Sequence, residues 1–187
     1  MPSLSEADRR AALQLARTAV VEAVSQRKLP EAFPCEGVFA DRRGVFVTLH
    51  VRNRLQGCIG VIEANEPLGE AIVRCAASAA LEDPRFSPMR PEQLDELSIE
   101  ISLLSPMEPI APEAIEIGRH GLFVRLHAQR GLLLPQVAIE HRLTREQLLE
   151  ETCRKAGLPR DAWRDPEARL FGFTCEVFSE RLNSAEA

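Results

Sequence analysis

The sequence predicts an α+β fold with largely antiparallel sheets and helices packed on them. Three observations predict it. Stretches of strand periodicity are mixed along the chain with stretches of helical periodicity. Several strand pairs are joined too tightly for the crossover helix that parallel neighbours need. No internal repeat interrupts this pattern, and the length of 187 residues suits one domain, 1–187, made of two lobes.

The elements follow in order. Ser5 and Asp8 form a capping box, and Ala12, Leu15, Ala16, Ala19, Val20 and Ala23 recur at helical spacing, so 6–28 reads as an amphipathic helix ending before Pro30. Val45, Val47, Leu49 and Val51 alternate with Phe46, Thr48 and His50 in a strand. A second strand, Leu55 to Ile62, follows a polar link at Arg52, Asn53 and Arg54, and the two make a hairpin. Pro67 suits a first helical position, and the helix it opens shows Leu68, Ala71, Ile72, Cys75, Ala76, Ala79 and Ala80 on one face. It stops at Asp83-Pro84, because proline disfavours helical geometry just before it. Leu97, Ile99, Ile101 and Leu103 mark another strand, with the proline-rich remainder of 84–112 read as turns around it. Segments 121–127 and 131–134 read as strands flanking a turn at Arg130-Gly131. Thr144 and Gln147 form a second capping box for a helix that ends at Gly157. Phe171, Phe173, Cys175 and Val177 alternate in one closing strand.

Composition bounds the function. A chain with 45% hydrophobic and 27% charged residues and a net charge of -5 buries an ordinary core. The negative balance disfavours a nucleic-acid coat or an anionic-membrane binder. The first ten residues are polar, and no apolar run approaches the ~20 residues that span a bilayer. Five cysteines (Cys35, Cys58, Cys75, Cys153 and Cys175) are an odd number without a CxxC pair, which excludes a fully paired disulfide framework and argues against structural zinc. A cytoplasmic protein with reduced thiols and no metal or cofactor is expected. Dinucleotide, P-loop, zincin and serine-hydrolase signatures are absent from the sequence.

One cysteine stands apart. Cys75, Cys153 and Cys175 fall on apolar faces and read as small hydrophobes, and Cys35 follows Pro34 in an irregular stretch. Cys58 lies between Gly57 and Gly60, and glycine inside a strand marks a bulge or the close approach of a ligand or another backbone. Arg52, Arg54 and Arg42-Arg43 could lie near it and favour its thiolate. A cysteine nucleophile needs a base, and of the candidates His50, His120, His127 and His141 the leading one is His120, in the glycine-flanked turn Gly118-Arg119-His120-Gly121, with an ordinary turn histidine as the alternative. His50 reads as a surface residue. Glu100, charged within an apolar strand, is either the orienting carboxylate or the exposed member of an alternating strand. Arg85 either meets an anionic ligand or bonds the last carbonyls of its own helix, and Gln136 either lines a pocket or ends a strand. The bland alternative for Cys58 is a buried, inert cysteine in a tightly packed hairpin.

The blocks Leu55-Gln56-Gly57-Cys58-Ile59-Gly60, Ala79-Ala80-Leu81-Glu82-Asp83-Pro84-Arg85-Phe86, Ile117-Gly118-Arg119-His120-Gly121-Leu122 and Leu133-Leu134-Pro135-Gln136-Val137-Ala138 closely resemble the hallmarks of the AMMECR domain family, in order along nearly the whole chain. Members of that family include components of AmmeMemoRadiSam systems. The usual hexapeptide has arginine where this chain has Gln56, so an anion contact there is lost or passes to Arg54. The resemblance implies two lobes with the 55–60 hexapeptide near the cleft between them. It also implies association with a Memo-type protein and a radical SAM protein, without a settled activity. Any radical chemistry belongs to those partners, since this chain lacks clustered cysteines for an iron–sulfur centre. The expectation is a cleft around Cys58 that binds or processes a small molecule, with His120 as base, Glu100 or Arg85 as positioning groups, and Arg54, Gln56, Gly57, Gly60 and Gln136 in ligand contact. A non-catalytic adapter that docks a partner through the same hairpin is the rival, and a nucleic-acid-linked regulatory role comes third.

Overall fold

The computed structural model describes residues 4–29, 34, 36–63 and 65–180. The fold is α+β with antiparallel sheets, and the chain divides into two compact units, Met1–Leu103 with Glu176–Ala187, and Leu104–Cys175. Cys35 lies outside the described residues.

In the first unit, α1 (Glu6–Gln26) opens on the expected capping box: the Asp8 N–H donates to Ser5 Oγ (3.1 Å) and the Ser5 N–H to Asp8 Oδ2 (3.2 Å). It ends two residues before the expected boundary, because Arg27 turns left-handed at φ 56° and returns its N–H to Ala23 O. β1 (Val45–Val51) and β2 (Arg54–Val61) form the hairpin. Its two turn residues, Arg52 and Asn53, both have positive φ (52° and 60°), as the type I′ turn favoured by strand twist requires. With β3 (Leu97–Leu104) and β8 (Cys175–Ser179) they make a sheet in the order β2-β1-β3-β8. Val45, Val47, Leu49, Ile99, Ile101 and Leu103 are buried on one face, in a core shared with α1 and α2 (Leu68–Leu81). Pro67 is the residue before α2, in extended conformation, rather than its first helical residue. Ten of the 14 residues of α2 are buried. Each fully buried Leu or Ile contributes about 1.5–3 kcal/mol, which outweighs the tenths of a kcal/mol lost to Gly69, Val73 and Cys75 as weak helix formers. The small residues of α2 let it approach the sheet: a Cβ on Gly57 would lie 2.0 Å from the carbonyl oxygen of Ala79.

The second unit is built on a sheet in the order β4-β7-β5-β6, from β4 (Glu108–Pro109), β5 (Gly121–Leu126), β6 (Gln129–Leu133) and β7 (Arg169–Phe173), with α3 (Pro135–Glu140) and α4 (Arg145–Lys155). Leu122 packs with Leu148, Leu149 and Ala138, and Val124 and Leu126 with Cys153 and Leu158. The β5–β6 turn falls at His127-Ala128, not at Arg130-Gly131. Gly131 instead sits within β6, where a Cβ would come 2.5 Å from the Ala156 nitrogen and 2.7 Å from the Thr152 oxygen, so its role is close packing of α4. Pro135 and Gln136 open α3, a helix that the periodicity of this stretch did not predict. α4 carries its capping box at Thr144 and Gln147 and ends on a Schellman motif, with Gly157 at φ 73° and the Leu158 N–H donating to Cys153 O (2.9 Å). The single closing strand expected over 171–177 is two strands in two sheets. They break at Thr174, whose N–H donates to Ser105 Oγ (2.9 Å) while its carbonyl accepts from the Ser105 N–H (2.9 Å).

Candidate functional site

Cys58 stands on β2, the edge strand of the first sheet, and its position depends on one irregularity. A regular hairpin continued from Val51↔Arg54 and His50↔Leu55 would set Cys58 opposite Val47, facing the core. A β-bulge at Gln56 slips the register by one, so Leu49 pairs with Gly57 and Thr48 with Cys58. A one-residue slip sends every later side chain to the other face. Cys58 therefore shares the non-core face with Thr48, while Gly57 turns to α2.

The backbone of Cys58 is held from outside the sheet. Its N–H donates to Asp83 Oδ2 (2.9 Å), and its carbonyl accepts from Arg85 Nη2 (3.1 Å). Arg85 closes the loop by donating to Asp83 through Nε (2.9 Å), Nη2 (2.7 Å) and its own N–H (3.1 Å). The Asp83 side chain is 2% exposed. Hydrogen bonds from Arg85 first, then from the Cys58 and Arg85 backbone, hold its carboxyl far below the usual carboxylate range against the opposing effect of burial. Pro84 ends α2 and sets the turn that presents both side chains to the edge. Arg85 thus bonds the hexapeptide strand rather than the carbonyls of its own helix, and it supplies the cation nearest Cys58 that the sequence sought elsewhere. Arg52 lies at the hairpin tip, paired with Glu96; Arg42 bonds the Asn65 carbonyl. Arg43 is buried with Nε and Nη1 lacking hydrogen-bond partners.

Cys58 is half-buried, and its thiol sulfur accepts the Thr48 hydroxyl at 3.2 Å. It contrasts with Cys75 and Cys153, both fully buried, where burial pushes the Cys75 thiol up to about 11. Cys175 is half-buried rather than part of an apolar core face. Glu100 pairs with Thr48 across β1 and β3. Cys58, Thr48 and Glu100 therefore form one row on one face of three strands, with Glu100 roughly 10 Å from Cys58 at the usual strand spacing. His50 belongs to the same face, one side-chain step along β1, and is half-buried. Gly60 is also on this face, where a Cβ would meet the Phe46 ring at 2.3 Å. Both glycines flanking Cys58 thus have packing reasons, one on each side of the sheet.

Gln56, the bulge residue, donates to the Ser87 carbonyl (2.9 Å). It sits between two open grooves, one of about 640 Å3 that includes Arg52, Arg54, Leu55, Arg90 and Gln93, and one of about 340 Å3 that includes Phe86, Ser87 and Pro88. Arg54 is exposed, and Cys58 lines neither groove. His120 and Gln136 belong to the second unit. The Nδ1 of His120 accepts the Glu116 N–H (3.1 Å). In the neutral tautomer that this bond requires, Nε2 carries the proton and can donate but not act as a base. Gln136 is half-buried in the first turn of α3. Among the described residues no group of three or more His, Cys, Asp or Glu is placed to hold a metal, and no helix is long and apolar enough to cross a membrane. Sequence reasoning missed Thr48, which the bulge brings opposite Cys58, and Asp83, whose place next to Pro84 pointed only to a helix end.

Comparison with known proteins joins these features. The AMMECR1 family model matches residues 13–178. A protein of Methanothermobacter thermautotrophicus is 44% identical over 187 residues, covering 95% of this chain and 96% of its own length. Protein TK0174 of Thermococcus kodakarensis is 43% identical, covering 90% of this chain and 88% of its own. The crystal structure of uncharacterized protein PH0010 from Pyrococcus horikoshii is similar at a TM-score of 0.82 and 40% identity, over 91% of this chain and 90% of that one.

Proposed function

The chain belongs to the AMMECR1 family, and from that premise we propose that its functional centre is the thiol of Cys58, which binds or processes a small molecule. One observation carries the proposal: the backbone of Cys58 is fixed at both polar atoms by a buried carboxylate and an arginine, while the residue stays half-buried and its sulfur accepts the Thr48 hydroxyl. A cysteine serving only as packing resembles Cys75 or Cys153, sealed in a core. Here a hydroxyl donates to the sulfur. Thr48 is the donor, Arg85 the nearby cation, and Glu100 the carboxylate of the same row. A thiolate of this kind works in a reducing compartment, the cytoplasm. The chain would serve as one component of an AmmeMemoRadiSam-type system beside Memo-type and radical SAM proteins, a placing supported by the hexapeptide and its accompanying blocks.

An adapter that pairs a partner strand to this edge is less well supported, because Asp83 and Arg85 already occupy the outward N–H and carbonyl of Cys58. The test is the pH dependence of alkylation at each cysteine of the folded protein, read by mass spectrometry. Rapid labelling of Cys58 alone, with an apparent pKa below the ~8.5 of a free thiol, supports thiol chemistry. Labelling only on unfolding refutes it.

A further inference from the structure

The second unit carries a groove that the Cys58 proposal does not use. It has a volume of about 680 Å3, with half-buried Leu133, Val137 and Leu143 and exposed His141, Arg154 and Lys155. Glu151 is its one acidic lining residue, and Arg154 (2.5 Å) and Arg160 (3.4 Å) neutralise it. Lys155 and His141 have no ion-pair partner among the described residues. The groove is thus lined by aliphatic groups and carries surplus positive charge on a chain whose formal net charge is -5. Leu133 ends β6, the edge strand of its sheet, while Val137 on α3 and His141 at the C-cap of that helix stand one turn apart, as do Glu151 and Lys155 on α4.

We propose that this groove docks an acidic peptide segment of a partner protein. Its aliphatic anchors would seat on Leu133, Val137 and Leu143, and its carboxylates would meet Lys155, with the imidazole of His141 lining the same groove. Charge complementarity selects this occupant: a basic segment would face uncompensated like charge, which discriminates strongly at interfaces. A nucleic acid would find no Phe, Tyr or Trp in the lining to stack on. The proposal is independent of Cys58 chemistry and can fail without affecting it.

The experiment uses the full chain and fluorescein-labelled acidic peptides carrying leucine pairs at two-, three- and four-residue spacings, with lysine-for-glutamate versions as controls. Fluorescence anisotropy at low ionic strength is expected to show saturable binding of at least one acidic peptide, lost with added salt. Backbone amide NMR shifts are expected to cluster over 133–155. Lys155→Glu should weaken binding by about tenfold or more while Lys155→Gln weakens it less, both with an unchanged melting temperature. Four results would overturn the proposal: no acidic peptide binds, the lysine versions or a single-stranded oligonucleotide bind as well, Lys155→Glu binds normally, or sedimentation shows the groove occupied by a second copy that Lys155→Glu releases.

Discussion

Replacing Asp83 by Asn keeps the shape of the side chain and removes its charge, which tests whether the Asp83–Arg85 clamp holds the edge of the first sheet. The carboxylate accepts four N–H groups: Arg85 N and Nε reach Oδ1, and Cys58 N and Arg85 Nη2 reach Oδ2. An amide supplies one oxygen, so whichever way it is turned, its NH2 faces two donors and two bonds are lost. A hydrogen bond to a charged group is worth about 1.5–3 kcal/mol net. The Arg85 share is discounted, because that side chain is 56% exposed and water screens the pair. The Cys58 share is not, because an edge N–H left without an acceptor retains its desolvation cost. The expected loss is about 3 kcal/mol, or about 6–12 °C in melting temperature for a chain of this size. Urea denaturation supplies the first readout and hydrogen exchange at the Cys58 amide the second. A loss under about 1 kcal/mol, with unchanged exchange at Cys58, would refute the clamp.

The same pair sets an acid response. Because the folded pKa of Asp83 is depressed, its contribution is fully present above the unfolded value of ~3.9 and is lost as pH falls from there through the folded value. Wild type should therefore lose about 1 kcal/mol more than Asp83→Asn between pH 7 and pH 3, measured as the difference in urea stability. Gly57→Ala forces a Cβ against the Ala79 carbonyl at 2.0 Å and should cost about 3 kcal/mol by parting β2 from α2, seen as a lower urea midpoint. Thr48→Val removes the hydroxyl donor to Cys58 and should slow Cys58 alkylation at neutral pH by about tenfold, whereas Thr48→Ser restores the rate. Equal rates in all three proteins would remove Thr48 from the site.

The helices with capping boxes and the strands with strict alternation were legible in the sequence because their signals are local. Ser5 with Asp8 and Thr144 with Gln147 bond as their spacing predicts. The hairpin was legible too, but its register was not. Nothing in the composition of 54–61 marks Gln56 as the bulge, yet that slip decides whether Cys58 faces the core or Thr48. The partners of Arg85 were not legible for a related reason: they are chosen by where the end of α2 falls against β2, a distance in space rather than in sequence. The alternation across 171–177 runs on through the break at Thr174, so periodicity alone could not divide β7 from β8. Gly131 looked like a turn because its packing partners, Thr152 and Ala156, lie more than 20 residues away.

The passage of the chain between sheets at Ser105 and Thr174 has an evolutionary and cotranslational consequence. β3 and β8 are neighbours in one sheet, and everything from Ser105 to Thr174 is spliced between them. The ends of that insertion are clasped by the two Ser105–Thr174 hydrogen bonds, so it enters and leaves at one point, the arrangement that lets a host fold accept a guest module. The host finishes late. Glu176 and Glu180, which bind Arg9 and Arg17 of α1, emerge from the ribosome only after the whole insertion. Until then α1 lacks the two ion pairs that reach more than 160 residues downstream, Arg9 with Glu176 and Arg17 with Glu180.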